Sequence, residues 1–499
     1  MKRTSFIQTF IACFKIADIR WKILFTIMVL VVFRIGSNIM LPGSQDNVSD
    51  NGTNTFFGMM SMLGGGNLRR LSVFSLGVSP YVMATIITQL LSADIIPSWT
   101  KMAKSGELGR KKLDLVARFL TIFIAIIQGF AILFTMKSQK YVDTSTAGLM
   151  LDVVIIVAGS FIALWLGDQI SAHGIGNGTS MIIFSGIIAN IPWNFVTIFD
   201  IYFGAGAASS AAASGFSPQS IFLGILNIIV IVILIPIIII LTIYLTQSLR
   251  KIPVQQLGSG ISSSPVRLNY LMFKINSAGV IPVIFASSLL SIPLTISGLI
   301  AKGTPADYWI NMFFSVSYVP GLIFYFILTI IFTFFYSHIM IKPDELSKNL
   351  QRNGSYIPGI KPGLNTENYI VKVLNRLNLI GGIALALIAS TPYLIFIIIK
   401  IPSNMVLGGT GIIIMVGVAI DVVTQLIGRV KQKQYVLLSQ KAKSELKQQI
   451  NLDQEPEAYN PYLNKTSSHL DDEKSKETVF DDDKDDKNKK GSDSSTILW

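Results

Sequence analysis

Ten mostly apolar stretches, each of roughly 18 residues or more, run along this 499-residue chain. They lie near 23–41, 76–96, 115–136, 150–167, 180–199, 220–247, 275–297, 318–341, 378–399 and 405–427. As helices, stretches of that length cross the hydrocarbon core of a bilayer. Runs such as 228–245 and 324–335 have no polar face, so they do not read as surface helices of a soluble domain. Nor do they alternate every second residue, as strands of a membrane barrel would. Composition agrees: 14% of residues are charged, against about a quarter in soluble domains. One cysteine, Cys13, and three scattered histidines, His173, His338 and His469, exclude a disulfide scaffold and a clustered cysteine or histidine metal site. The fold class expected is an all-α polytopic membrane protein.

Loop charge orients the spans, because Lys and Arg near span ends resist translocation. Residues 1–22 hold five basic residues against Asp18, and 97–118 hold six against two acids. The loop at about 248–274 carries Arg250, Lys251, Arg267 and Lys274 with no acid, and 342–376 has six basic and three acidic residues. Opposite loops, 42–75 and 193–219, are near neutral. Both termini are therefore expected in the cytoplasm, although the short loop 168–179 does not follow the bias. Residues 1–22 read as a cytoplasmic amphipathic segment, with 6–17 able to lie on the membrane. No small-residue cleavage site of a signal peptide occurs there. Residues 429–499 carry 13 basic and 14 acidic residues and read as a hydrophilic, mostly disordered tail. Its first part, 430–452, is able to extend the last helix.

An internal repeat divides the rest. Gly77-Val78-Ser79-Pro80-Tyr81-Val82-Met83-Ala84 in the second span matches Gly279-Val280-Ile281-Pro282-Val283-Ile284-Phe285-Ala286 in the seventh. Gly178-Thr179-Ser180-Met181-Ile182-Ile183 in the fifth matches Gly409-Thr410-Gly411-Ile412-Ile413-Ile414 in the tenth. Two matches, each displaced by five spans, give two homologous halves, 23–200 and 201–428. An odd number of spans per half inverts the second half in the membrane. The expected architecture is thus ten transmembrane helices in two inverted pseudo-symmetric halves around a central pore. Gly and Pro at equivalent positions mark helices that are broken or bent, and their freed backbone groups must face protein or water.

The spans hold few ionisable groups: Arg34 lies in the first, and Asp168 and Asp421 sit close to span ends. That is a poor fit to a transporter coupled to protons or sodium. No nucleotide-binding motif and no catalytic His/Glu/Asp constellation occur, so neither an enzyme nor a cofactor is expected. An aliphatic pore suits a hydrophobic constriction better than an ion-selective filter. On the outer side, residues 56–66 are apolar, too short to span, and rich in Met and Gly, a composition that fits either a plug or a peripheral loop. The cytoplasmic loops at 248–274 and 342–376 are long, basic and stiffened by Pro253, Pro265, Pro343, Pro358 and Pro362, as loops that dock a partner or anionic lipid would be.

Several longer motifs resemble the SecY family of bacterial protein-translocation channels. They are Phe33-Arg34-Ile35-Gly36-Ser37, Leu76-Gly77-Val78-Ser79-Pro80-Tyr81, Gly106-Glu107-Leu108-Gly109-Arg110-Lys111-Lys112 and Gly174-Ile175-Gly176-Asn177-Gly178. The stretches 278–288 and Ile357-Pro358-Gly359-Ile360-Lys361-Pro362-Gly363, and Gly408-Gly409-Thr410, complete the likeness, which runs from about 15 to 428. The resemblance implies an hourglass channel in a bacterial plasma membrane, plugged from outside and opening sideways to lipid. Its pore ring would fall on Val78, Val82, Thr179, Ile183, Ile284 and Ile414, and its plug at about 56–73, with Met59, Met60, Met62, Leu63 and Gly65. Gln89 and Asn276 match polar positions of the family's lateral gate. Arg250, Lys251, Arg267 and Lys361 would dock a ribosome or the SecA motor ATPase. Small SecE- and SecG-like membrane subunits, signal sequences and nascent chains are the other partners implied. Two departures stand out: Thr179 replaces an aliphatic residue, with a hydroxyl expected to bond its own helix backbone. Lys361 replaces an Arg, keeping the charge but losing bidentate geometry. The tail is not a general family feature.

Overall fold

Lipid offers no hydrogen-bond partner to a peptide group, so an apolar stretch crossing it closes its own bonds as a helix. The computed structural model describes residues 16–43, 71–93, 95–138, 145–203, 218–256, 269–300, 304–399 and 408–453. Each of the ten apolar stretches falls on a helix. In order these are α1 (Ala17–Gly36), α2 (Ser79–Ser92), α4 (Glu107–Ser138), α5 (Thr146–His173), α6 (Gly178–Phe203), α7 (Pro218–Gln247), α8 (Ile281–Leu299), α10 (Val319–Ile341), α12 (Leu364–Ile399) and α13 (Gly408–Asp453). Three short helices, α3 (Pro97–Lys104), α9 (Pro305–Phe314) and α11 (Pro343–Arg352), lie between them.

Among the described residues, six helical stretches are long and apolar enough to cross a membrane by themselves: Glu107–Lys137, Ala147–His173, Ile281–Gly298, Val319–Arg352, Leu364–Ile395 and Gly411–Ser444. The pair α2 and α3, bent by 98° at their junction, makes a seventh. Shorter apolar helices occupy Gly178–Pro192 and Val232–Gln247. The first helix, α1, is diluted by Asp18, Arg20, Lys22 and Arg34. The chain divides into two units, Met1–Lys431 and Gln432–Trp499, the second described only as helix to Asp453. Residues 1–15 and 454–499, which include most of the amphipathic segment and the acidic tail, lie outside the described residues.

The repeat motif has one geometry in both halves. Gly77 and Gly279 take left-handed φ values of 51° and 65°, which a residue without Cβ adopts freely. The next residue caps a helix: Val78 at φ −98°, ψ 5° and Val280 at φ −95°, ψ −4°. Pro80 and Pro282 follow in the first turn, where a missing N–H costs nothing. So the motif starts a helix in each half, where the sequence suggested a helix broken or bent. The carbonyl ahead of each start is satisfied by a side chain: Ser160 Oγ donates to Gly77 O at 2.8 Å, and Asn276 Nδ2 to Gly279 O at 2.7 Å. Equivalent helices also press on equivalent turns. Gly159 of α5 lies against Val73 O, and Gly381 of α12 against Ile275 O.

The basic loop at 248–274 contains strands. β1 (Leu249–Gln256) pairs antiparallel with β2 (Asn269–Lys274), and β3 (Ser355–Tyr356) joins the far end of β1. Pro253 made a strand there hard to read in the sequence. It is tolerated because its nitrogen points to the edge of β1 away from β2, where β3 pairs only at Gln255 and Gln256 and needs no N–H from Pro253. Ile252, Val254 and Phe273 bury their side chains with Ile370, Val373, Leu374 and Leu377 of α12, so the hairpin is mounted on a transmembrane helix.

A Cβ at Gly159 or Gly381 would collide with backbone oxygen of a turn that has no room to retreat. Gly159→Ala and Gly381→Ala are each expected to cost about 1–3 kcal/mol, read as a lower unfolding temperature of the purified protein. Gly428→Ala, in a helix interior with nothing within 4 Å, should not lower it and gains up to about 1 kcal/mol of helix propensity.

Candidate functional site

The two helix starts bring the first residues of the candidate site together. Val78 caps α2, Val82 follows one turn on, and Ile284 lies in the first turn of α8. Ile183 comes from α6 and Ile414 from α13. Helix α13 approaches the α8 start closely, because Gly417 has no side chain to meet Val280. Val78, Ile183, Ile284 and Ile414 belong to one buried apolar cluster, with Val82 packed against it. Phe33, Phe74, Ile182, Ile187 and Val418 surround them. Val78 and Ile414 are 0% exposed. Nothing in this cluster offers a metal ligand, and among the described residues no group of three His, Cys, Asp or Glu side chains gathers anywhere.

Thr179 is partly exposed and its polar groups are bonded locally. Its hydroxyl donates to Asn177 Oδ1 at 2.8 Å, and the same oxygen accepts its backbone N–H at 3.2 Å. The expected bond to its own helix backbone is thus replaced by a bond to the preceding loop. The reason is position: Thr179 is in the first turn of α6, beside an asparagine that caps it.

Gln89 and Asn276 sit on α2 and in the turn before α8, two helices that pack on each other. Asn276 is 1% exposed and spends its amide N–H on Gly279 O. Asn276 Oδ1 and Gln89 Oε1 are buried without a hydrogen-bond partner among the described residues. Arg250 and Lys251 are exposed on β1, and Lys361 is exposed in the turn before α12. Arg267 lies outside the described residues, as do Met59, Met60, Met62, Leu63 and Gly65. The loop that carries those five is closed at its base, where Leu41 N–H donates to Leu71 O at 2.8 Å and Val73 N–H to Ile39 O at 3.0 Å.

Two features escaped the sequence reading. Asp152, in the second turn of α5, is 2% exposed with Oδ2 unpartnered among the described residues. The spans are therefore less free of acids than they read, and the segment's apolar neighbours masked it. The second feature is a polar network. Tyr81 Oη donates to Asp114 Oδ1 at 2.7 Å, and Arg118 binds Asp114 at 3.0 Å and Asp168 at 3.1 Å. Only the Asp114–Arg118 pair, spaced i, i+4 on one helix, was available as a signal.

Comparison with known proteins gives the family and the fold. The SecY family model matches residues 72–423. The protein translocase subunit SecY of Mycoplasma capricolum subsp. capricolum is 38% identical over 468 residues, covering 90% of this chain and 94% of that protein. A solved protein-conducting channel superposes with a TM-score of 0.57 at 20% identity, covering 83% of this chain and 92% of the other. Sec61 in the canine ribosome–channel complex from the endoplasmic reticulum gives 0.54 at 19%, over 83% and 92%. Matched along most of its length by both the family model and its relatives, the chain belongs to the SecY family.

Proposed function

We propose that this chain is the central channel subunit of a Sec-type protein translocase. It passes unfolded secretory polypeptides across the membrane and releases transmembrane helices sideways into lipid. One observation carries the reading: in a chain of the SecY family, Val78, Val82, Ile183, Ile284 and Ile414 converge from four helices in one buried aliphatic cluster. Aliphatic side chains hold back water and ions by dewetting. Having no directional bonds to break, they repack around a passing chain. We assign Thr179, tied to Asn177, to the edge of this ring.

Sideways release uses the seam between α2 and α8, with α4 and α10 behind them. Gln89 and Asn276 lie along it, and their unpartnered oxygens leave the seam weakly bonded. A signal sequence or nascent transmembrane helix entering there gains roughly 25 cal/mol for each Å² of apolar surface it buries. The segment at about 56–73 plugs the outer side. The exposed Arg250, Lys251 and Lys361, with Arg267, receive the SecA motor or the ribosome. Small SecE- and SecG-like subunits complete the complex in a bacterial plasma membrane. Loop charge supports cytoplasmic termini.

A solute transporter is the second reading, and Asp152 is the observation in its favour. Reconstituted with its small subunits and a SecA-type ATPase, the chain is expected to carry a signal-bearing precursor into proteoliposomes, seen as ATP-dependent protease protection. The Asp152→Asn variant should do so equally well. Absence of protection, together with gradient-driven solute uptake that Asp152→Asn abolishes, would favour the transporter. For the docking loops, joint Arg250→Glu, Lys251→Glu and Lys361→Glu substitution is expected to weaken SecA or ribosome binding about tenfold or more. The parent's affinity should itself fall as salt rises.

A further inference from the structure

We propose that Tyr81, Asp114, Arg118 and Asp168 form a strut that fixes where α2 begins, and with it the depth of Val78 and Val82. The inference rests on reading those two valines as part of the seal. Tyr81 stands between them in the repeat motif, in the first turns of α2. Its hydroxyl reaches Asp114 Oδ1 on α4 at 2.7 Å. Arg118, one turn further along α4, holds the other carboxylate oxygen through Nε at 3.1 Å and Nη2 at 3.0 Å. The same Nη2 lies 3.1 Å from Asp168 Oδ2 on α5. One tyrosine hydroxyl is thereby joined to two neighbouring helices.

The first turn of a helix lacks intrahelical partners for its N–H groups and frays unless something outside holds it. At α2 two side-chain links tie this start to its neighbours: Ser160 of α5 bonds Gly77 O, and Asp114 of α4 bonds Tyr81. The second half does without the latter. By the repeat, the position of Tyr81 falls on Val283, which is 0% exposed in the apolar core. The fold therefore does not require a polar contact at this place, and the first half carries one in addition to its packing. The division of labour follows from exposure. Side chains of Arg118, Asp114 and Asp168 are 41%, 40% and 37% exposed, and ion pairs so open to water contribute little by themselves. Their part is to hold the Asp114 carboxylate at one angle, so that the charge-assisted bond to the half-buried Tyr81 keeps its geometry. All four are positioning residues; none touches the passing chain in this account.

The test compares Tyr81→Phe, Asp114→Asn and the double variant, each in the complex with its small subunits in lipid nanodiscs. Hydrogen exchange over 77–84 is expected to rise about tenfold in each single variant and no further in the double. Exchange over 279–286 should stay at the parent rate. In planar bilayers each single variant should pass ions while the parent stays closed. Unchanged exchange over 77–84 overturns the strut whatever the conductance. Raised exchange with channels that stay closed also overturns it, provided that Ile183→Gly with Ile414→Gly leaks in the same bilayers. If that control is silent too, the seal reading fails, and local exchange alone decides whether the strut positions α2. A global fall in stability, with exchange rising equally over both segments, would mark an ordinary packing role and contradict the proposal.

Discussion

Within lipid a peptide group has no water to turn to, so a helix that begins at membrane depth must begin against protein or a water-filled cavity. Most of what is distinctive in this chain follows from two such beginnings. At Gly77 and Gly279 the backbone turns through a left-handed conformation, and a valine caps the helix that follows. The carbonyl of each glycine would be orphaned in lipid. Ser160 satisfies one from a neighbouring helix, and Asn276 satisfies the other from within the same turn. Both turns come close to helices whose glycines leave room for backbone, Gly159 for one and Gly381 for the other. The symmetry of the repeat is thus physical as well as textual: the same carbonyl is capped and the same oxygen packed in each half.

The aliphatic cluster is a consequence of these starts. A helix beginning at Val78 and another at Val280 present Val82 and Ile284 at matching positions, one turn in. Ile183 and Ile414 arrive from the second pair of repeat-related helices, where their motifs also match. As the proposed seal, such a cluster is cohesive yet undirected: burial would hold it shut, with no hydrogen bond to break in parting it. The Thr179 hydroxyl is satisfied by Asn177, so it brings no unpartnered polar group to the ring.

Much of this was legible from residue patterns. Uninterrupted apolar runs gave the helices, since without the two-residue alternation of a barrel only a helix satisfies a backbone in lipid. Matching G-V-x-P and G-T-x-x-I-I motifs gave the repeat, the first pairing Val82 with Ile284 and the second Ile183 with Ile414. What stayed hidden has a common cause, which is that it depends on contacts between distant segments. The β1–β2 hairpin was obscured by Pro253, acceptable only because β3 does not reach that residue on the other edge of β1. The role of Asn276 as a cap depends on the left-handed turn that brings Gly279 O to it. Tyr81, Asp114, Arg118 and Asp168 lie on three helices, and no spacing along the chain predicts that they meet.

The central claim is that the buried aliphatic cluster closes an otherwise open path through the protein. Ion conductance of the purified complex in planar bilayers tests it most directly, comparing the parent with the variant carrying both Ile183→Gly and Ile414→Gly. The account requires a closed parent and a variant that leaks ions. A folded, inserted variant as silent as the parent would contradict it, because the constriction would then lie elsewhere.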